Sequence, residues 1–199
     1  MLTPDTATEC GLVHVLDLCP SLIVDLSYAR PNNMFGTRLY ECNEAWLLRE
    51  TAVKLADAAA LASERRHLII VLDAYRPLAV QRHMWSIHPD ETFVAPPERG
   101  SFHNRGAAVD VWLADEHGVR LPMPSDFDEF SHRASHEYSG GDVLALRNRE
   151  VLKTCMESAG FTAYRAEWWH YNDTEQLERP LLNRSLCALH EEHEASFAP

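Results

Sequence analysis

The sequence predicts an α+β fold built as a single domain over residues 1–199, with its core at about 20–172. Three observations point there. Two stretches, 44–63 and 144–159, carry apolar residues at helical spacing. Strand-like runs gather in the middle and toward the end instead of alternating regularly with helices, which disfavours a βαβ repeat. No internal repeat, low-complexity tract or Pro/Gly/Ser linker divides the chain, and 199 residues suit one core better than two.

The first 40 residues read as short strands and loops, with Leu22–Leu26 strand-like and a turn-rich Arg30–Asn33 followed by Gly36. The helix at 44–63 is set by Leu48, Ala52, Leu55, Ala56 and Ala59. The continuous apolar run Leu68–Leu72 suits a buried strand. It stops at Asp73, and Pro77 stands where the first turn of a helix at about 77–87 begins. Gly100–Gly106 reads as a loop feeding a strand through Val109, Val111 and Leu113, and His117-Gly118 as a hairpin turn. Gly160 closes the helix at 144–159. Phe161–Arg165 and Glu167–Tyr171 read as two short strands or one interrupted strand. The tail is acidic from Glu191, and residues 190–199 are expected to be solvated and flexible.

Lys and Arg number 18 against 30 Asp and Glu, a formal charge of −12. That balance repels phosphate backbones and anionic lipid, so neither nucleic acid nor a membrane surface is an expected partner. No apolar run approaches the ~18 residues of a membrane-spanning helix. The opening MLTPDTATECGLVHVLDL has no Lys or Arg ahead of its apolar residues and does not read as a signal peptide, which makes the cytoplasm the expected location. Five cysteines, Cys10, Cys19, Cys42, Cys155 and Cys187, are odd in number and never in C-x-x-C spacing. Unpaired thiols are expected of them, with neither a disulfide framework nor an all-cysteine zinc site.

Chemistry concentrates in three segments: Asp73-Ala-Tyr75-Arg76-Pro77, Ser101-Phe-His103-Asn-Arg-Gly106-Ala-Ala-Val-Asp110, and Glu167-Trp-Trp-His170. His103, Asp110 and His170 can supply the imidazole and carboxylate ligands of a zinc site with one position left open for water. Zinc brings the pKa of such a water toward ~7. Glu167 is then the natural general base, and Arg76 can stabilise a developing oxyanion. Plainer readings stand beside these. A lone histidine near a strand is commonly a hydrogen-bonded structural residue, and Arg76 can simply pair with Asp73. Asp110, between Val109 and Val111, needs a partner of some kind: an arginine, a helix cap or a metal. Glu167 and His170 lie on opposite faces of a regular strand and converge only if the chain bulges or breaks near Trp168. His132 and His136 are a weaker candidate pair, lacking an accompanying carboxylate base. His190, Glu192 and His193 read as solvated surface.

Taken together, Tyr28-Ala-Arg-Pro-Asn-Asn33, Asp73-Ala-Tyr-Arg-Pro77, Ser101-x-His103-Asn-Arg-Gly106-x-Ala-x-Asp110, Phe127-Asp128-x-Phe130 and Ala159-Gly-Phe161-x-x-Tyr164-x-x-Glu-Trp-Trp-His-Tyr171 resemble the zinc D-alanyl-D-alanine dipeptidases of the VanX type, within the D-Ala-D-Ala peptidase/hedgehog fold group. The resemblance runs from about Leu22 to Tyr171. It implies a central, mainly antiparallel sheet flanked by helices, and hydrolysis of D-Ala-D-Ala by a metal-activated water. It further implies one Zn²⁺ per chain on His103, Asp110 and His170, with Glu167 as base and Arg76 stabilising the transition state. Tyr28, Ser101 and Asp128 match positions around the substrate's free amino group. Asp73 is grouped with them, its expected duty being to orient Arg76. The implied partner is a small dipeptide; the alternatives are a zinc peptidase for other short peptides, such as muropeptide fragments, and a zinc-binding module of the same fold without catalysis. Phe102 and Arg30 depart from the pattern, standing where smaller residues are common.

Overall fold

The apolar run at 68–72 becomes the second strand of a five-stranded sheet in the computed structural model, which describes residues 10–91 and 94–197. In chain order the strands are β1 (Leu12–His14), β2 (Ile23–Val24), β3 (Trp46–Leu48), β4 (His67–Asp73), β5 (Ala108–Asp115), β6 (Thr162–Ala163) and β7 (His170–Asn172). The helices are α1 (Val15–Leu18), α2 (Arg49–Ser63), α3 (Leu78–Ile87), α4 (Val143–Ser158) and α5 (Leu186–Ser196). The large sheet runs β2-β4-β5-β7-β6, antiparallel throughout except for the β2–β4 pair. The α+β class and the mainly antiparallel central sheet are therefore as the sequence implied. β4 and β5 are almost wholly buried, which explains why the β4 segment reads as a continuous apolar run with no alternation. α2 and α4 pack on each other, α2 against β4 and α4 against β5 and β6.

Two elements differ from expectation. Trp46–Leu48, read as the start of a helix, is a strand paired antiparallel with β1, Leu12 opposite Leu48 and His14 opposite Trp46. All three residues are buried, and a helix would turn part of that apolar run toward water. The backbone of β3 also bonds outward: Trp46 O accepts from Tyr75 N at 2.9 Å, and Leu48 N donates to Gly106 O at 2.9 Å. The second difference is at the C-terminus. The segment read as an acidic tail belongs to helix α5, capped by the Ser185 side chain, which accepts from Ala188 N; from Glu191 to Phe197 its side chains are exposed apart from His193, as the sequence implied. Leu186 and Leu189 are buried, and His193 binds Asp17 at 2.8 Å while packing edge-on against Trp46. The surrounding acids mask this apolar stripe in the sequence. Residues 1–9, 92–93 and 198–199, and the readings that fall on them, lie outside the described residues. Among the described residues, no helix is long and apolar enough to cross a membrane.

Candidate active site

Register builds the floor of the site. Between Val71, opposite Val111, and Asp73, opposite Asp110, β4 carries one extra residue. This bulge brings Asp73 level with Asp110, which in turn pairs with His170 on β7. Three polar side chains from three neighbouring strands thus form one row across the sheet. His103 reaches the row from the short 3₁₀ turn His103–Arg105 ahead of β5. That turn ends at Gly106, whose φ of 69° is left-handed; a Cβ there would meet Leu12 Cδ2 at 2.5 Å and Leu48 N at 3.1 Å. Two further bonds lock the histidine turn to the arginine turn: Arg76 N donates to His103 O at 3.0 Å and Asn104 Nδ2 to Arg76 O at 2.8 Å.

The outer hydrogen bonds decide which nitrogens face inward. His103 Nδ1 lies 2.7 Å from the Ala74 carbonyl, which can only accept, so the proton sits on Nδ1. His170 Nε2 lies 2.9 Å from Asn172 Oδ1, an acceptor for a proton on Nε2 when Nδ1 is given to a cation. The remaining nitrogens, His103 Nε2 and His170 Nδ1, face each other at 3.2 Å, with Asp110 Oδ1 at 3.4 Å from the first and 2.9 Å from the second. All three donor atoms lie within 4.8 Å of one another. In the metal-free chain these atoms share protons as hydrogen bonds to Asp110; a cation that displaced those protons would meet three electron pairs, and metal-bound histidines are commonly held through their far nitrogen in this way. Burial opposes charging of His103, but Asp110 and Asp73 beside it outweigh that and raise its pKa. Burial likewise acts to raise Asp110, yet His103 and His170 hold it well below the usual carboxylate range.

Glu167 stands next to this set, its Oε2 4.0 Å from His170 Nδ1. β7 begins only at His170, and a turn joins the two residues, closed by His170 N donating to Glu167 O at 3.2 Å. The break the sequence required near Trp168 is that turn; the bulge lies on β4 instead. Burial, reinforced by Asp110 and Asp128, pushes the Glu167 carboxyl up to about 7. Asp128, held at a positive φ of 59°, accepts from Tyr28 Oη at 3.1 and 3.2 Å. Burial, then the charge of Asp110, raises it to about 8. Arg76 is buried, donating from Nη2 to Asp73 Oδ2 at 2.6 Å and from Nη1 to Gln81 Oε1 at 2.9 Å, with its guanidinium 5.4 Å from the Tyr28 ring centre. Ser101 donates from both N and Oγ to Asn104 Oδ1.

A cavity of about 380 Å³ gathers eight of the nine residues singled out in the sequence: Tyr28, Arg76, Ser101, His103, Asp110, Asp128, Glu167 and His170. Asp73 is fully buried behind the wall, where Tyr40 Oη donates to it at 2.6 Å and Arg76 binds its other oxygen. Phe102 lines the cavity, whereas Arg30 pairs with Asp25 outside it. His132 and His136 face Tyr138 and Tyr171, away from the donor set. Sequence reasoning missed Tyr40, Gln81, Asn104 and Asn172, which hold the functional side chains without presenting chemistry of their own. Asn104 stood inside a quoted segment without a role, and Asn172 left a signal by standing two residues after His170 and so on the same strand face.

The family profile described as D-ala-D-ala dipeptidase (Peptidase M15) matches residues 8–192. A D-alanyl-D-alanine dipeptidase from Escherichia coli (strain K12) is 35% identical over 172 residues, covering 86% of this chain and 89% of its own. Another from Enterococcus faecium is 31% identical over 184 residues, covering 82% and 91%. A solved vancomycin-resistance D,D-pentapeptidase in complex with Zn(II) superposes with a TM-score of 0.42 at 19% identity, covering 75% of this chain and 85% of that one. The match over nearly the whole chain makes this protein a peptidase of the D-ala-D-ala dipeptidase family.

Proposed function

We propose that the chain hydrolyses D-Ala-D-Ala to two D-alanines, with one zinc ion held by His103, Asp110 and His170. The observation that carries this reading is the convergence of three lone-pair donors on one wall of a cavity that also receives Glu167 and Arg76. Two nitrogens and one carboxylate oxygen with an open side fit a catalytic zinc centre, where the ion supplies Lewis acidity toward the scissile carbonyl and makes a water more acidic. Glu167 takes the proton of the attacking water and passes it to the departing amine; its carboxyl, raised to about 7 by burial before any cation binds, is brought lower by a bound cation and so is ionised to accept that proton at neutral pH. Arg76, immobilised by Asp73 and Gln81, donates to the oxygen that gains charge.

Charge and hydrogen-bond polarity favour a substrate with a free amino group. Asp110, Asp128 and Glu167 bring three carboxylates to the inner cavity, where Arg76 is already matched by Asp73; Glu91 and Arg99, paired with each other, and Arg105 line it as well. Tyr28 gives its proton to Asp128 and Ser101 gives its own to Asn104, which leaves both oxygens as acceptors for ammonium N–H groups. About 380 Å³ lies at the small end of ligand pockets, as a dipeptide requires.

The test is alanine release from D-Ala-D-Ala, with and without zinc after chelation, beside N-acetyl-D-Ala-D-Ala and a tripeptide. Zinc-dependent turnover of the free dipeptide alone is expected. Comparable turnover of the blocked or longer peptides would move the reading to a broader zinc peptidase; inactivity with zinc bound would reject D-Ala-D-Ala as the substrate and turn the search to other short peptides. Asp128→Asn is expected to raise KM roughly 10- to 100-fold with little change in kcat, because one charge-assisted hydrogen bond to the ammonium is lost. Only the ionised carboxyl pairs with an ammonium, so wild-type KM rises as pH falls through the Asp128 pKa. That value is about 8 before any cation binds, and lower once zinc is in place. Steady-state kinetics across pH should show this arm in the wild type and not in the variant.

A further inference from the structure

Nothing in the spacing of the five cysteines pairs any two of them, but the fold does. Cys42 and Cys187, 145 residues apart, have their Sγ atoms 2.7 Å from each other. Cys42 lies in the loop before β3, and Cys187 in the first turn of α5. Both are half-buried, within reach of small reagents, whereas Cys19 and Cys155 are buried. The separation needs only a small closure to the ~2.05 Å of a disulfide bond.

Each cysteine ends a segment that braces the Asp73–Arg76 turn. Two residues before Cys42, Tyr40 Oη donates to Asp73 at 2.6 Å. Three residues before Cys187, Arg184 N donates to Tyr75 Oη at 2.8 Å, and Tyr75 Oη donates to the Arg184 carbonyl at 3.0 Å. Leu182 continues the brace, with its N donating to Asn104 O at 2.8 Å and its carbonyl accepting from Leu78 N at 3.0 Å.

We propose that Cys42 and Cys187 are a reversible thiol–disulfide site that staples α5 to the loop before β3 and clamps the arginine turn from both sides. A low-molecular-weight disulfide serves as oxidant. Cys187, at the positive end of α5, attacks one of its sulfurs as the thiolate, forming a mixed disulfide and releasing one small thiol. Cys42 then attacks Cys187 Sγ, its proton passing to the second thiol as it leaves. Two protein thiols are oxidised, one small disulfide is reduced to two thiols, and no other reactant is needed. Burial and the neighbouring Cys187 push the Cys42 thiol up to about 12 in the reduced state.

The experiment uses reduced full-length protein treated with oxidised glutathione and is independent of which peptide the site cleaves. The accessible-thiol count under denaturing conditions is expected to fall by two, with a mapped Cys42–Cys187 cross-link. The melting temperature should rise by roughly 5–15 °C, reversibly with dithiothreitol. Cys42→Ser and Cys187→Ser should each lose the cross-link and the thermal gain while keeping the melting temperature of the reduced wild type. An unchanged thiol count, a cross-link between other cysteines, a glutathione adduct that never resolves internally, or the same thermal gain in either variant would overturn the proposal.

Discussion

Glu167→Gln is expected to lower kcat on D-Ala-D-Ala by roughly 10²- to 10⁴-fold while zinc content matches that of the wild type. The substitution keeps the shape of the side chain and removes its capacity to take a proton. Glu167 Oε2 is 4.0 Å from His170 Nδ1, outside the tight set in which His103 Nε2, His170 Nδ1 and Asp110 Oδ1 lie 2.9–3.4 Å apart. Base and ligands should therefore separate experimentally. Metal analysis beside single-turnover kinetics decides the point. Loss of zinc in the variant would make Glu167 a ligand, and a rate within about tenfold of wild type would place the base elsewhere.

Arg76→Ala is expected to damage two properties at once. Removing the guanidinium from the cavity should cost roughly 10²–10³ in kcat, the scale seen when one donor to a developing oxyanion is deleted. It also strips the buried Asp73 of its cation, which should destabilise the fold by about 3–5 kcal/mol in urea unfolding. Arg76→Lys separates the two effects. A lysine restores a positive charge near Asp73 but cannot reproduce the fork that meets Asp73 and Gln81 together. Stability should recover in part while kcat remains low. If both recover fully, charge alone is sufficient and the guanidinium geometry has no role.

The residue types of the site were legible because polar side chains stand against apolar strands and glycine turns, where their cost demands a purpose. Asp110 between two valines is the clearest case. Their assembly was not legible. It depends on a bulge after Val71 and on pairing Asp73, Asp110 and His170 across three strands, and neither periodicity nor spacing specifies a register between segments so far apart. Trp46–Leu48 misled for a related reason: a short apolar run next to a strong helix former reads as its first turn unless the partner strand β1 is known. α5 was hidden by the opposite bias, since its acids outnumber the few apolar residues that bury it. Tyr40 and Gln81 left no trace, because a residue that orients another is defined wholly by where the chain folds.

The short strand β3 offers no side chain to the cavity, yet its Trp46 carbonyl and Leu48 amide hold the arginine turn and the histidine turn to one piece of backbone. Because the link is written in peptide groups, it is indifferent to the identity of the residues that carry it. Apolar side chains along β3 can be exchanged in the course of descent while the spatial relation between the two turns is inherited unchanged. Proline at position 48 is the exception, since it alone would delete the amide on which the inheritance rests.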